Sequence, residues 1–427
     1  MQRTPDDGDQ APDVADSARP AEAEAVVTPA ERTTVLWLSN ASHAANHFQN
    51  GMLSVLWVPI MEELGFGLFQ LGVLQAIRST LNSVSQGLYG FLTPFFRRTR
   101  ILAFANMLMG LGVMLSGFAF SFWSFVGSRV FAATGSSAQH PVGASLLSGY
   151  FPRNRGTILA LNASVASVGS FLAPLVATAM LSYIGWRQVF FVLAGFSVAF
   201  GLVYLFFSER RSVDERRERG TRSKLREGFS NYRLVLKNRN ILAISLVMMV
   251  GAGGRGGGVN DLYLIPWMRT DLLLSPWTAA WAKSVQQLGG IVGPLGFGWL
   301  SDRLSRTRVL QASLVLSAFG SWLVAVQDGA LVPLFVSLAV YGAFTHSRMT
   351  LTQPLVADSV TDEQLDAAFS VFYTIGFIST PFWALLTGAL MALFSFQVAF
   401  SVLALSYLLG VVLMFWVKDM RKVPAAT

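Results

Sequence analysis

Residues 298–308, Gly298-Trp-Leu-Ser-Asp302-Arg303-Leu-Ser-Arg306-Thr-Arg308, end a long apolar block with a short, strongly basic loop. The same design stands 208 residues earlier, in Gly90-Phe-Leu-Thr-Pro94-Phe-Phe-Arg97-Arg98-Thr-Arg100. In both copies an apolar pair follows the last arginine, Ile101-Leu102 and Val309-Leu310. The spacing holds elsewhere. Pro59 and Pro266 are 207 apart, Gly169 and Pro174 return as Gly376 and Pro381, and Gln188-Val189 returns as Gln397-Val398 at 209. One offset kept along most of the chain implies two copies of one unit, related by a pseudo-two-fold axis along a membrane normal.

The blocks around these loops set the fold class. Only 13% of the 427 residues are charged, about half of soluble usage, and they fall between apolar runs. A bilayer core about 30 Å thick needs roughly 20 mainly apolar residues per helix. Such runs lie near 34–59, 70–93, 101–119, 122–146, 157–182 and 187–208, then 240–266, 275–299, 308–326, 331–356, 366–393 and 396–417. The expectation is an all-α membrane protein of twelve transmembrane helices in two six-helix bundles. The bundles occupy 33–208 and 240–417, with a basic linker at 209–239 and a short tail at 418–427. Residues 1–32 carry five Asp and three Glu against Arg3, Arg19 and Arg32 and many Ala and Pro. Such a segment buries too little surface to offset its ordering entropy, so an acidic disordered tail is expected. It lacks the basic start and apolar run of a secretory signal. The chain has no cysteine, which excludes disulfides and thiolate chemistry.

Lys and Arg orient the spans. With both termini cytoplasmic, the inner segments hold 25 of the 32 basic residues, and the outer loops hold only Arg187 and Arg269. Eleven lie between Arg210 and Arg239. This is the positive-inside bias, and it predicts a multi-pass protein of the inner or plasma membrane. It also explains the net charge of +8 without nucleic acid.

The 298–308 segment resembles the loop signature of the major facilitator superfamily, whose helix-ending Asp and following basic residues latch neighbouring helices. The resemblance covers roughly residues 33–420 and implies gating by Asp302, Arg303 and Arg306. Pro94 replaces the latch Asp of the first half. Gly169-Ser-Phe-Leu-Ala173-Pro174-Leu-Val-Ala177 is similar to the Gly-x-x-x-Gly-Pro-x-x-Gly of superfamily exporters, with alanines at two glycine positions; small residues there also serve close helix packing. Ser42-His43-Ala-Ala-Asn46-His47-Phe and Gly135-Ser136-Ser137-Ala-Gln139-His140-Pro141 resemble the fosmidomycin-resistance group. There, an Asp follows the first His by four residues; here that position is His47.

Charge inside the spans points to the solute. Arg78, Arg129, Arg255, Lys283 and Arg348 fall within spans, with Asp261 the one carboxylate set clearly among them. A mid-span charge costs about 2.5–3.5 kcal/mol on insertion scales, so these groups should face a cavity or a partner. Cations in excess suit an anionic solute. At 100° per residue, Gln75, Arg78, Asn82 and Gln86 share one face of span 2 within roughly 80°, as Asn40, His43, His47 and Asn50 do in span 1. The 208 offset sets Gln75 opposite Lys283 and Arg78 opposite Gln286. One cation per half at nearly one depth resembles superfamily nitrate carriers. The expected solute site is therefore Arg78, Arg255, Lys283, Gln75, Asn82, Arg348, His47 and Asn50. His43, His47, Asp261 and Arg129 are the candidates for proton coupling. Arg129 and Arg348 also admit structural readings, and His140 and His346 are read as packing histidines.

Gly251-Ala-Gly253-Gly-Arg255-Gly256-Gly-Gly258 matches a dinucleotide fingerprint, but no strand–helix alternation surrounds it and the repeat pairs it with span 1. No cofactor or metal site is expected. The reading is a monomeric secondary transporter in the lipid bilayer that moves a small organic anion with protons. Export of amphipathic drugs and a non-transporting membrane sensor remain open. No nucleophile–base spacing suggests an enzyme.

Overall fold

Serine, proline and glycine punctuate the apolar blocks. The first helix starts at Pro29 behind Thr28, whose hydroxyl oxygen accepts from the Glu31 amide at 3.2 Å. It closes on Gly65 at φ 67°, the left-handed backbone that suits glycine. Ser121, Ser275 and Ser395 cap later helices as Thr28 does. The computed structural model describes residues 27–93, 95–151, 155–207, 221–250, 260–361 and 364–420.

The first bundle runs through Pro29–Leu64 (α1), Leu68–Leu92 (α2), Arg98–Gly117 (α3), Phe122–Ser137 (α4) with Gln139–Tyr150 (α5), Arg155–Leu181 (α6) and Trp186–Phe206 (α7). A connecting helix, Thr221–Lys237 (α8), sends the Tyr232 hydroxyl to the Gly87 carbonyl at 3.3 Å. The second bundle comprises Arg239–Met249 (α9) with Asn260–Thr270 (α10), Pro276–Arg303 (α11), Arg306–Ala325 (α12), Leu331–Asp358 (α13), Leu365–Phe377 (α14) with Thr380–Leu393 (α15), and Phe396–Leu413 (α16).

Spans 4 and 11, expected as continuous, are each interrupted. The breaks, at Ala138 and at Ile378–Ser379, sit just before Pro141 and Pro381. A proline nitrogen cannot bond the carbonyl four residues back, here Ser137 or Phe377. Pro59, Pro174, Pro266, Pro294 and Pro354 lie in helices that continue, so proline permits the break without enforcing it.

The pseudo-symmetry is visible in the packing. Span 1 packs on 5 as 7 packs on 11, span 3 on 4 and 6 as 9 on 10 and 12, and span 2 on 4 as 8 on 10. The bundles meet through 2 with 11, 5 with 8, and 1 with 7. Among the described residues, six helices are long and apolar enough to cross a membrane by length and composition alone, in spans 3, 5, 6, 9, 11 and 12. These are three symmetry-related pairs. Spans 1 and 2 qualify together across a 120° bend. At 1.5 Å per residue, however, the 36 residues of α1 reach about 54 Å and cross alone. Spans 1, 2, 4, 7, 8 and 10 are the more polar or shorter ones, the composition expected of helices beside a solute path. Phe104, Phe131, Phe196, Trp299 and Phe382 stand exposed on outer flanks, where lipid rather than water suits them.

Apolar burial is uneven along the membrane normal. At the face away from the termini, Trp57, Ile60 and Leu71 share one core with Tyr263, Trp267 and Ala384 of the other bundle. At the terminal face each bundle has its own core, around Leu102 and Leu146 in one and around Leu310 and Leu355 in the other. The shared core rests on a close approach at Gly72. A methyl group added there would stand 2.8 Å from the Ala384 carbonyl oxygen and 2.9 Å from the Tyr263 hydroxyl.

Candidate functional site

The polar face of α1 is held by side chains from spans 4 and 5. Asn162 on α6 donates from Nδ2 to Asn40 Oδ1 at 2.8 Å, which turns its own Oδ1 toward His43 Nδ1 at 2.6 Å. His47 Nδ1 lies 3.3 Å from Ser170 Oγ. Asn46 donates to Ser136 Oγ at 3.2 Å, and Asn50 donates to the Asn46 carbonyl at 2.8 Å. These bonds set the rotamers of the stripe before any solute arrives.

Arg78 on α2 joins this frame. One of its nitrogens donates to Asn50 Oδ1 and another to Gln75 Oε1 at 3.2 Å. One turn on, Gln86 donates to Asn82 Oδ1 at 2.5 Å, and Asn82 reaches the Ala133 carbonyl at 3.4 Å. His47, Asn50, Gln75, Arg78 and Asn82 are only half-buried although they lie in mid-span. Polar groups left accessible at that depth belong to a wet interior, not to lipid. Arg129 on α4 is 4% exposed and stands 5.8 Å from the Phe190 ring centroid. Its Nε makes no hydrogen bond. Among the described residues, no carboxylate lies within ion-pair distance of Arg78 or Arg129.

The second bundle handles its cation differently. Lys283 on α11, 3% exposed, lies 3.1 Å from Asp261 Oδ1 on α10 and donates to Gln286 Oε1 at 2.9 Å. Gln286 in turn donates to Asp261 at 3.1 Å, closing a three-membered network. Arg348 does not snorkel. It is fully buried on α13, donates to the Val250 carbonyl, and lies 5.4 Å from the Tyr407 ring. Ser379 Oγ and Trp383 Nε1 donate to the neighbouring Met249 carbonyl at 2.7 and 2.8 Å. The last carbonyls of α9 are therefore capped from two other helices, with a cation at the negative end of the helix dipole. His346 donates from Nδ1 to the Gly342 carbonyl at 3.0 Å, and its ring packs on Gly290.

Arg255 lies outside the described residues, as do Pro94 and the side chain of Asp302. Around the latch loop, Arg306 Nη1 pairs with Asp358 at 2.5 Å, its amide donates to Asp419 at 3.1 Å, and Arg303 stacks 3.7 Å from the Trp299 ring centroid. Asp358, Asn162 and Ser170 carry much of this geometry and were not singled out from sequence. Each acts across helices, and nothing in its local spacing marks it.

A model of the major facilitator superfamily matches residues 41–259 and 258–427. The chain belongs to that superfamily. It is a multi-pass membrane transporter, not an enzyme. A Cupriavidus pinatubonensis protein named as a probable 4-methylmuconolactone transporter is 26% identical, covering 74% of this chain and 72% of its own. An Escherichia coli protein named as a probable L-galactonate transporter is 22% identical, covering 83% and 75%. A crystal structure of a bacterial homologue of the human lysosomal transporter Spinster, inward-facing and unoccupied, aligns with a TM-score of 0.67. It covers 91% of this chain and 95% of that one at 16% identity, which shows the superfamily fold.

Proposed function

We propose that this superfamily member is a secondary active transporter of a small organic anion, moving it by alternating access together with protons. The carrying observation is the Arg78–Arg129 pair. Two guanidinium groups in mid-span, with no carboxylate within ion-pair distance among the described residues, leave the first bundle short of negative charge. A solute carboxylate or phosphonate supplies it, and the planar fork of Arg78 can hold either through two parallel hydrogen bonds. Gln75 and Asn50 orient that fork, and Asn82 borders it. Galactonate and 4-methylmuconolactone, the compounds in the relatives' names, both carry a carboxyl group ionised at neutral pH.

Lys283, neutralised by Asp261, serves in this reading as a structural counterpart to Arg78. Proton coupling falls to His43, His47 and Asp261, the groups that can change charge along the path. With the terminal face cytoplasmic, as the Lys and Arg count favours, the acidic tail, the linker and both termini lie on the cytoplasmic side of the inner or plasma membrane. The segments resembling fosmidomycin-resistance exporters put a phosphonate among the solutes to test.

Uptake into proteoliposomes decides the matter. A panel of aldonates, short carboxylates and a phosphonate is offered with and without an inward proton gradient. One anion should be accumulated, faster with the gradient, and Arg78→Ala should lose it. Transport of a neutral amphipathic drug in preference to every anion, unchanged in Arg78→Ala, would establish drug export instead.

A further inference from the structure

The chain has four histidines, and three of them meet at one point. His43 and His47 lie one turn apart on α1, and His140 comes from the start of α5, just past the break in span 4. Ring centroids are 4.7, 5.0 and 5.6 Å apart, each pair close to perpendicular. One ring nitrogen from each lies within 4.8 Å of the other two. Reading the sequence assigned no metal here, because His140 is 93 residues from His47 and no local spacing joins them.

We propose that His43, His47 and His140 form a binding site for a divalent transition-metal ion of the zinc, cobalt or nickel type. Imidazole suits these ions, and a tetrahedral zinc with bonds of about 2.0–2.1 Å holds its nitrogens roughly 3.3 Å apart. Drawing the rings inward by about 1.5 Å at most closes that gap, a matter of side-chain torsions.

The surroundings prepare the donors. Asn162 has its Nδ2 committed to Asn40, so its Oδ1 accepts from His43 and the proton of that ring sits on Nδ1. Ser170 Oγ takes the same position opposite His47 Nδ1. His43 then presents Nε2 as the lone-pair nitrogen, and His47 does the same in the tautomer that donates to Ser170. Fixing the tautomer of a ligating histidine through its second nitrogen is the usual outer-sphere arrangement of metal sites. Three nitrogen donors leave a four-coordinate ion one position, which water fills. The rings are neutral donors, so no acidic residue is required, and His43 and His140 are 7% and 8% exposed. The site stands on its own geometry, whatever solute is carried; with an ion bound, His43 and His47 take up no proton, and coupling rests on Asp261.

The test uses the full chain, purified in detergent through a tag without histidine and stripped with chelator. Cobalt(II) is titrated in, and the visible band of four-coordinate cobalt is followed; zinc is then added to displace it. Wild type should saturate at one equivalent. His140→Ala and His47→Ala should each weaken binding about a hundredfold or more, and Asn162→Leu about tenfold. His346→Ala, which alters the one histidine outside the cluster, should titrate as wild type. Zinc should also raise the thermal midpoint of wild type, a readout that needs no variant to fold. Absence of the cobalt band and of the zinc shift in wild type would overturn the proposal. So would a His140→Ala protein that binds as tightly as wild type.

Discussion

The two bundles share a helix order and a packing scheme but dispose of buried charge in opposite ways. In the second, Lys283 is matched by Asp261 within a span-to-span network and Arg348 is consumed as a helix cap. In the first, Arg78 is held by amide oxygens alone and Arg129 has no ion-pair partner among the described residues. Among the described residues, the cations without a carboxylate partner beside them thus stand in the first bundle, apart from the helix-capping Arg348.

The most disruptive way to probe that contrast is Asp261→Ala. Removing one partner of a buried pair leaves the other charge uncompensated and costs about 3–5 kcal/mol. Thermal unfolding should show the loss, and adding Lys283→Met to the same protein should restore most of it. Equal stability in all three proteins would make Lys283 a second open cation and erase the difference between the halves. Next comes Arg78→Ala, expected to weaken binding of the transported anion about a hundredfold, or roughly 2.7 kcal/mol. Arg78→Lys should recover only part, since an ammonium cannot form the paired hydrogen bonds. Calorimetry on the purified protein measures both, and the Asp261→Asn/Lys283→Met protein should bind within a few-fold of wild type.

A smaller effect belongs to the latch. Arg306→Ala removes a partly exposed pair worth about 1 kcal/mol or less. Net transport should fall a few-fold while solute exchange persists; equal loss of both would mark a folding defect. The smallest lies at the far face, beyond the apolar part of span 1. There the Trp186 indole donates to Glu63 at 2.5 Å and Arg187 pairs with the same carboxylate. Together they hold its carboxyl below the usual value of 4.5, the indole bond foremost. A lowered folded-state value means the clasp contributes fully above pH 4.5 and is lost as pH falls through the lowered value. Glu63→Gln should therefore lower the thermal midpoint slightly at neutral pH and flatten the acid limb of the curve, the difference from wild type vanishing at the acid end.

Much of the fold was legible because apolar runs and basic loops are local signals. Each span and the loop signature lie within a window of about thirty residues, and the repeat needs only such windows laid beside one another. The interruptions of spans 4 and 11 were not, since five other prolines sit in helices that continue. Arg78 and its face could be read from helical spacing, and the structure ties Arg78 to both Gln75 and Asn50. The Asp261–Lys283 pair could not, because only same-helix spacing was available and the partner lies on the next span. The histidine cluster and the Asn162 and Ser170 contacts needed spans 1, 4 and 5 to be in place.

The core shared by the bundles at the far face has a thermal consequence. Opening that face wets Trp57, Ile60, Leu71, Tyr263 and Trp267 at once, so the step carries a positive heat-capacity change. Apolar attraction weakens on cooling. The population open at that face should grow in the cold, and the temperature plot of transport should curve rather than run straight.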